Sequence, residues 1–171
     1  MSVVNGFPPI LGKSARVLVL GTLPSRRSLE TNQYYGHPRN AFWPIMGALL
    51  GAGPGVPYEE RRGILARRQV AVWDVLRSSV RPGSMDADIE PTTAAANDFA
   101  ALFAASPDIA LVCFNGRAAA DLWRRLVAPG LQNGSNTVDY QTLPSTSPAH
   151  ASMSFAQKLE HWRVIAERAT P

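Results

Sequence analysis

A single cysteine, Cys113, among 171 residues leaves no partner for an intrachain disulfide and removes the cysteine pairs on which many zinc sites depend. It lies in the apolar run Ile109 to Phe114 and reads as a small core residue. Long hydrophobic runs are missing too. No stretch approaches membrane-spanning length, and the N-terminus has no charged segment followed by an apolar one of signal-peptide type. A reducing, cytoplasmic setting without membrane contact is the expectation. There is no visible repeat, and the Ala-rich stretches read as helix composition. The full G-x-G-x-x-G fingerprint is absent, as is an acidic ribose partner after the second strand, which argues against a dinucleotide-binding enzyme. Acidic residues are the minority. Asp and Glu number 13 against 17 Lys and Arg, for a net charge of +4 and a pI near 9.7. That balance suits a polyanionic partner, and equally a merely solvated surface. The pairs Arg61-Arg62, Arg67-Arg68 and Arg124-Arg125 read as exposed helical faces.

What is present alternates between strand and helix patterns. Val17 to Leu20 has the length and β-branched content of a strand buried on both faces, ended by Gly21 and Pro24. Helices follow at Phe42 to Leu50, closed by a Gly-rich stretch, and at Tyr58 to Arg68, then a strand at Val70 to Val75. Ser78 to Pro91 is polar and punctuated by Pro and Gly, and is expected to be irregular and outside the core. A helix over Asn97 to Ala105, capped by Asn97 or Asp98, leads to a strand at Ile109 to Phe114 and a helix at Gly116 to Val127. A turn over Pro129 to Ser135, a fourth strand at Thr137 to Leu143 and a helix from about Met153 to Ala169 complete the chain. Strands separated by helices predict an α/β fold: a single three-layer α/β/α domain over residues 1–171, with a central, mainly parallel four-stranded sheet. The length suits one such domain.

Polar and aromatic residues crowd directly after the first buried strand, in GTLPS (Gly21 to Ser25) and QYYGHPRNAFW (Gln33 to Trp43). In open α/β sheets the C-terminal strand edge is where ligands bind. Together with LPSTSPAHA (Leu143 to Ala151), these segments resemble the three spaced motifs of the uracil-DNA glycosylase superfamily, and within it the hypoxanthine (deoxyinosine) branch. The resemblance spans about Arg16 to Trp162. It implies an enzyme that flips a deaminated base out of DNA and hydrolyses its N-glycosidic bond, acting as a monomer on DNA that contains the lesion. Such a reaction must stabilise the departing base, place water at the anomeric carbon and exclude normal bases. None of these tasks requires a metal or cofactor, and none is expected.

The resemblance implies a role for each matching position. Asn40 matches the catalytic Asn of the second motif. Its amide can polarise a water but cannot take a full proton, and capping the Phe42 helix is the competing reading. Gly21, Thr22 and Leu23 would border the base, the backbone N–H groups near Thr22 and Leu23 donating to its carbonyl oxygen. Leu23 departs from the wider superfamily, where a group able to engage water often occupies that position, and points to the hypoxanthine branch. Tyr35 would be the floor on which the base stacks, with Tyr34 on the opposite side by alternation. Phe42 and Trp43 read as core. Asn115 offers donors and an acceptor suited to the lactam edge of hypoxanthine, against a plain Asn-Gly turn and helix cap. Pro24, Ser25, His37, Ser145, Thr146, Ser147, Pro148 and His150 are the expected DNA contacts, with loop-structural or surface alternatives for the two histidines. Leu143 replaces the His that opens the third motif in the uracil-specific branch, which lowers the expectation of efficient uracil excision. No lysine lies in the three motifs, so a Schiff-base lyase step is not expected. The alternatives are excision of uracil or xanthine, and a non-catalytic DNA-binding module.

Overall fold

The apolar run after Arg16 becomes the most buried strand of the molecule. The computed structural model describes residues 2–131 and 137–169. Its elements are β1 (Val3–Asn5), β2 (Val17–Gly21), α1 (Arg26–Thr31), α2 (Phe42–Leu50), α3 (Tyr58–Arg67), β3 (Val70–Asp74), β4 (Leu76–Val80), β5 (Ala95–Ala96), α4 (Phe99–Ala105), β6 (Leu111–Asn115), α5 (Arg117–Leu126), β7 (Asp139–Leu143) and α6 (Phe155–Arg168). The central sheet runs β3-β2-β6-β7 and every pairing in it is parallel. The side-chain period of two divides β2 between two cores. Val17 and Val19 pack with Phe42, Ile45 and Met46 of α2 and Trp162 and Ile165 of α6. Leu18 and Leu20 pack on the other face with Phe99 and Leu102 of α4 and Leu122 and Trp123 of α5. This is the expected three-layer α/β/α arrangement, and Cys113 is buried in it.

The expectation for Ser78 to Pro91 is corrected. Leu76–Val80 pairs antiparallel with β1 and β5 in a second, three-stranded sheet, and Ser79, Arg81 and Ile89 are buried. Arg81 tolerates this because carbonyl oxygens receive its guanidinium: Nε donates to Gly83 at 3.0 Å and Nη2 to Pro24. The segment is thereby fastened to the first motif. Asp98 caps α4, accepting from Ala101 N at 3.0 Å. Among the arginine pairs, Arg61 lies over the Trp43 ring at 4.7 Å, while Arg62 and Arg124 pair with Glu59 and Asp121 of their own helices. Part of the turn expected over Pro129 to Ser135 lies outside the described residues. No helix among the described residues is long and apolar enough to cross a membrane.

Candidate active site

Parallel strands bring their C-terminal ends to one edge, so register decides which side chains meet there. Gly21 stands beside Asp74, and Asn115 beside Leu143. A cavity of about 320 Å³ opens at this edge, near the lower end of the roughly 300–1,000 Å³ found for ligand sites. Gly21, Thr22, Leu23, Pro24 and Ser25 of the first motif line it, as do Tyr35, His37 and Asn40 of the second. Ser145, Thr146, Ser147 and His150 of the third motif line it as well, together with Asn115. Pro148 is exposed and outside the lining.

Asn40 precedes α2, and its Oδ1 accepts from Phe42 N at 2.9 Å while its own N–H donates to His37 O at 3.0 Å. The N-cap position of α2 is Ala41, which makes no side-chain cap bond, so Asn40 holds the helix start from one residue before the cap while it lines the cavity. The bond fixes the amide and leaves Oδ1 a second lone pair for a water. His37 braces the same loop, its Nδ1 accepting from Arg39 N at 3.1 Å. Ser25 caps α1, accepting from Ser28 N at 3.2 Å. Leu23 is anchored in the second core.

Tyr35 stacks on Phe42 with centroids 4.1 Å apart and planes at 27°. The expected opposition of Tyr34 and Tyr35 is corrected. Both pack against the same core, with their centroids 6.3 Å apart. The segment is a turn, not a strand, and Tyr35 has φ +53°, the left-handed region that breaks strand alternation. Tyr34 is the core partner: its hydroxyl donates to Pro8 O at 2.9 Å, and its carbonyl accepts from Trp43 Nε1 at 2.7 Å.

Asn115 neither caps α5, whose N-cap is Gly116 at φ +95°, nor holds a free amide. Its Nδ2 donates to Thr146 Oγ1 and its Oδ1 accepts from Thr146 N, both at 2.9 Å. Thr146 O in turn accepts from Ala41 N at 2.9 Å. One buried threonine thus joins the end of β6, the third-motif loop and the start of α2. Thr146 is 1% exposed, so its hydroxyl is turned inward, unlike the partly exposed Ser145 and Ser147. One Nδ2 hydrogen and one Oδ1 lone pair remain on Asn115.

Three buried side-chain atoms lack a hydrogen-bond partner among the described residues: Tyr35 Oη, Asp74 Oδ2 and His150 Nε2. All three residues line the cavity. Burial, then the charge of Asp74, pushes the Tyr35 phenol well above its ordinary value, and the neighbouring Asn115 amide pulls the other way. Asp74 escaped the reading of the sequence. The strand-end argument applied to Gly21 and Asn115 applies equally to the last residue of VAVWD, and that was the signal available. Ser84 to Ala87 also line the cavity, and Thr22 Oγ1 donates to Asp86 Oδ1 at 2.5 Å. Their contribution came from the segment expected to be irregular. No cluster of metal-ligating side chains occurs among the described residues.

The family profile described as the uracil DNA glycosylase superfamily matches residues 8–168. The chain belongs to the uracil-DNA glycosylase superfamily. It is 33% identical to a hypoxanthine DNA glycosylase of Methanosarcina acetivorans over 95% of this chain and 98% of that one. It is 36% identical to a hypoxanthine DNA glycosylase of Methanosarcina barkeri over 66% of this chain and 71% of that one. It also superposes, with a TM-score of 0.76 and 32% identity, on the solution NMR structure of a candidate uracil DNA glycosylase from Methanosarcina acetivorans, covering 96% of this chain and 99% of that one.

Proposed function

We propose that this superfamily member is a monofunctional DNA glycosylase that releases hypoxanthine from deoxyinosine in DNA and leaves an intact abasic strand. The observation that carries the reading is the meeting of all three motifs at one cavity, with three unpaired buried polar atoms in its lining. The hypoxanthine assignment draws on the two Methanosarcina relatives of that name and on Leu23 in place of a water-engaging group.

In this reading the protein acts as a cytoplasmic monomer, without metal or cofactor. Asn40, its amide fixed by the helix start, holds the attacking water. Tyr35 and Asn115 border the base, and Asn115 presents its remaining N–H and lone pair to the lactam edge. Ser145, Ser147 and the neighbouring backbone meet phosphates. No lysine lines the cavity among the described residues. The closest amine to the third motif, Lys158 Nζ, is buried and donates to His150 O at 2.7 Å.

The experiment is incubation with oligonucleotides carrying deoxyinosine, uracil or xanthine, with and without chelator, reading free base and alkali-labile sites. Hypoxanthine should appear fastest, undiminished by chelator, and the strand should break only after alkali or heat. Strand cleavage without alkali, or borohydride trapping of the protein on DNA, would replace the hydrolase with a lyase and direct attention to Lys158. Mobility shift without base release would leave only a binding module.

A further inference from the structure

Asp74 has no part in the motifs, yet it lines the cavity. It ends β3 beside Gly21 and is 4% exposed. A Cβ placed on Gly21 would fall 2.6 Å from Asp74 Oδ1 and 3.0 Å from Tyr35 Oη. The carboxyl and the phenol therefore reach over a strand end kept open by the missing side chain. Asp74 Oδ2 has no partner among the described residues. Leaving a buried polar atom unmatched is unfavourable, and such an atom persists where the site has a use for the group.

The charged groups around Asp74 do not neutralise it. Arg81, at the end of β4, commits Nε and Nη2 to the Gly83 and Pro24 carbonyls. Asp86, from the Ser84 to Ala87 segment, adds negative charge. Tyr34 and Tyr35 face it as phenols, and His37 and His150 share the cavity lining. Burial first, then Asp86, against a smaller opposing effect of Arg81, push the Asp74 carboxyl up to about 7.

Breaking a glycosidic bond leaves negative charge on the base, and a proton delivered there lowers the barrier. Among the other side chains of the lining, Leu23 is apolar, Asn40 and Asn115 carry amides that are not acidic, His37 Nδ1 is already an acceptor, and burial holds the Tyr35 phenol well above its ordinary value. His150, with its Nε2 unpaired, is the rival donor that the test separates from Asp74. We infer that Asp74 is a catalytic residue of this site, its neutral carboxyl meeting the flipped base and passing a proton to an acceptor of that base as the glycosidic bond breaks. The C1′–N9 bond opens with its electron pair going to the base, while the Asp74 proton goes to N7, N3 or O6 of hypoxanthine. Water adds to C1′, and its surplus proton returns through solvent to the Asp74 carboxylate. The inference rests on the glycosylase reading.

The test is single-turnover excision of hypoxanthine from a deoxyinosine duplex between about pH 5.5 and 9, with folding checked by circular dichroism at each pH. The parent should hold a plateau on the acid side and fall about tenfold per pH unit above about 7. Asp74→Asn should be slower by roughly 10²-fold on the plateau, within the usual worth of a general acid, and should lose the alkaline fall. Asp74→Glu should keep a titrating limb, and covers the case in which the Asn variant does not fold. His150→Gln should keep the limb as in the parent. A parent rate that does not fall, an Asp74→Asn profile like the parent's, or a limb that vanishes only in His150→Gln would each overturn the inference. Absence of hypoxanthine release by the parent at every pH would instead overturn the glycosylase reading.

Discussion

In the proposed reading, Asn40 joins two tasks that the sequence presents as rivals. Its Oδ1 holds the first turn of α2 through Phe42 N, and the same bond fixes the amide at the cavity. Truncation to Ala removes both, so a lost rate in that variant alone would not separate them. Asn40→Ala is expected to cut excision by roughly 10²-fold or more with little change in DNA affinity, because the water contact matters chiefly in the transition state. It should also cost about 0.5–2 kcal/mol of stability, the range for losing a side-chain acceptor of a first-turn helix N–H. Asn40→Ser separates the two, since serine caps well but has no amide for the water. Stability should return in the serine variant while excision stays low, measured by urea unfolding and single-turnover release. Recovery of both together would reduce Asn40 to its capping role.

Strand ends, more than any single side chain, assemble this site, and the Asn115–Thr146 pair couples two of them. The buried double hydrogen bond gives Asn115 two routes to influence selectivity: directly, through its remaining donor and acceptor, or by holding the third-motif loop. Thr146→Val removes the Oγ1 acceptor and loosens the loop while keeping the Asn115 amide in place, its Oδ1 still accepting from the backbone N of residue 146. If Asn115 reads the lactam edge, Asn115→Ala should reorder the rates for hypoxanthine, xanthine and uracil, whereas Thr146→Val should lower all three together. The comparison belongs at one salt concentration, since phosphate contacts make binding salt-dependent. Equal reordering by both variants would assign the effect to the loop. What the sequence disclosed follows the same division. β2, α2 and α4 were legible because their apolar patterns and caps are local, and the cavity edge because motif residues follow buried strands. α1 was not, because RRSLET is six residues long and buries only Ser28. β1 and β5 were missed because strands of three and two residues exist only through pairing with β4. The Asn115–Thr146 bond was illegible because it joins residues 31 apart through a register that only the folded sheet defines.

The whole domain also carries the cost of keeping Asp74 buried, and this ties stability to pH in a definite direction. Its folded pKa is raised to about 7 from an ordinary 3.8. Between those values the folded state binds a proton that the unfolded chain has released, so stability conferred on the acid side is lost as pH rises through the window. Above about 7 both states are ionised and the loss levels off. Asp74→Asn removes this titration while keeping the shape. Its stability relative to the parent should therefore rise between about pH 4 and 7, by an amount on the order of a few kcal/mol, then stay flat. Taking the difference between variants cancels the remaining titrating groups that the two proteins share. Urea unfolding at a series of pH values measures it, and a difference constant across the window would mean that the carboxyl is ionised in the cavity lining. The direction bears on function as well. The neutral carboxyl that eases burial is the form that can donate to a departing base, so the same proton should favour both folding and excision on the acid side. A carboxyl kept only for stability would be better replaced by Asn, which offers a donor without the alkaline penalty. A titrating group in this position makes physical sense where its proton is used.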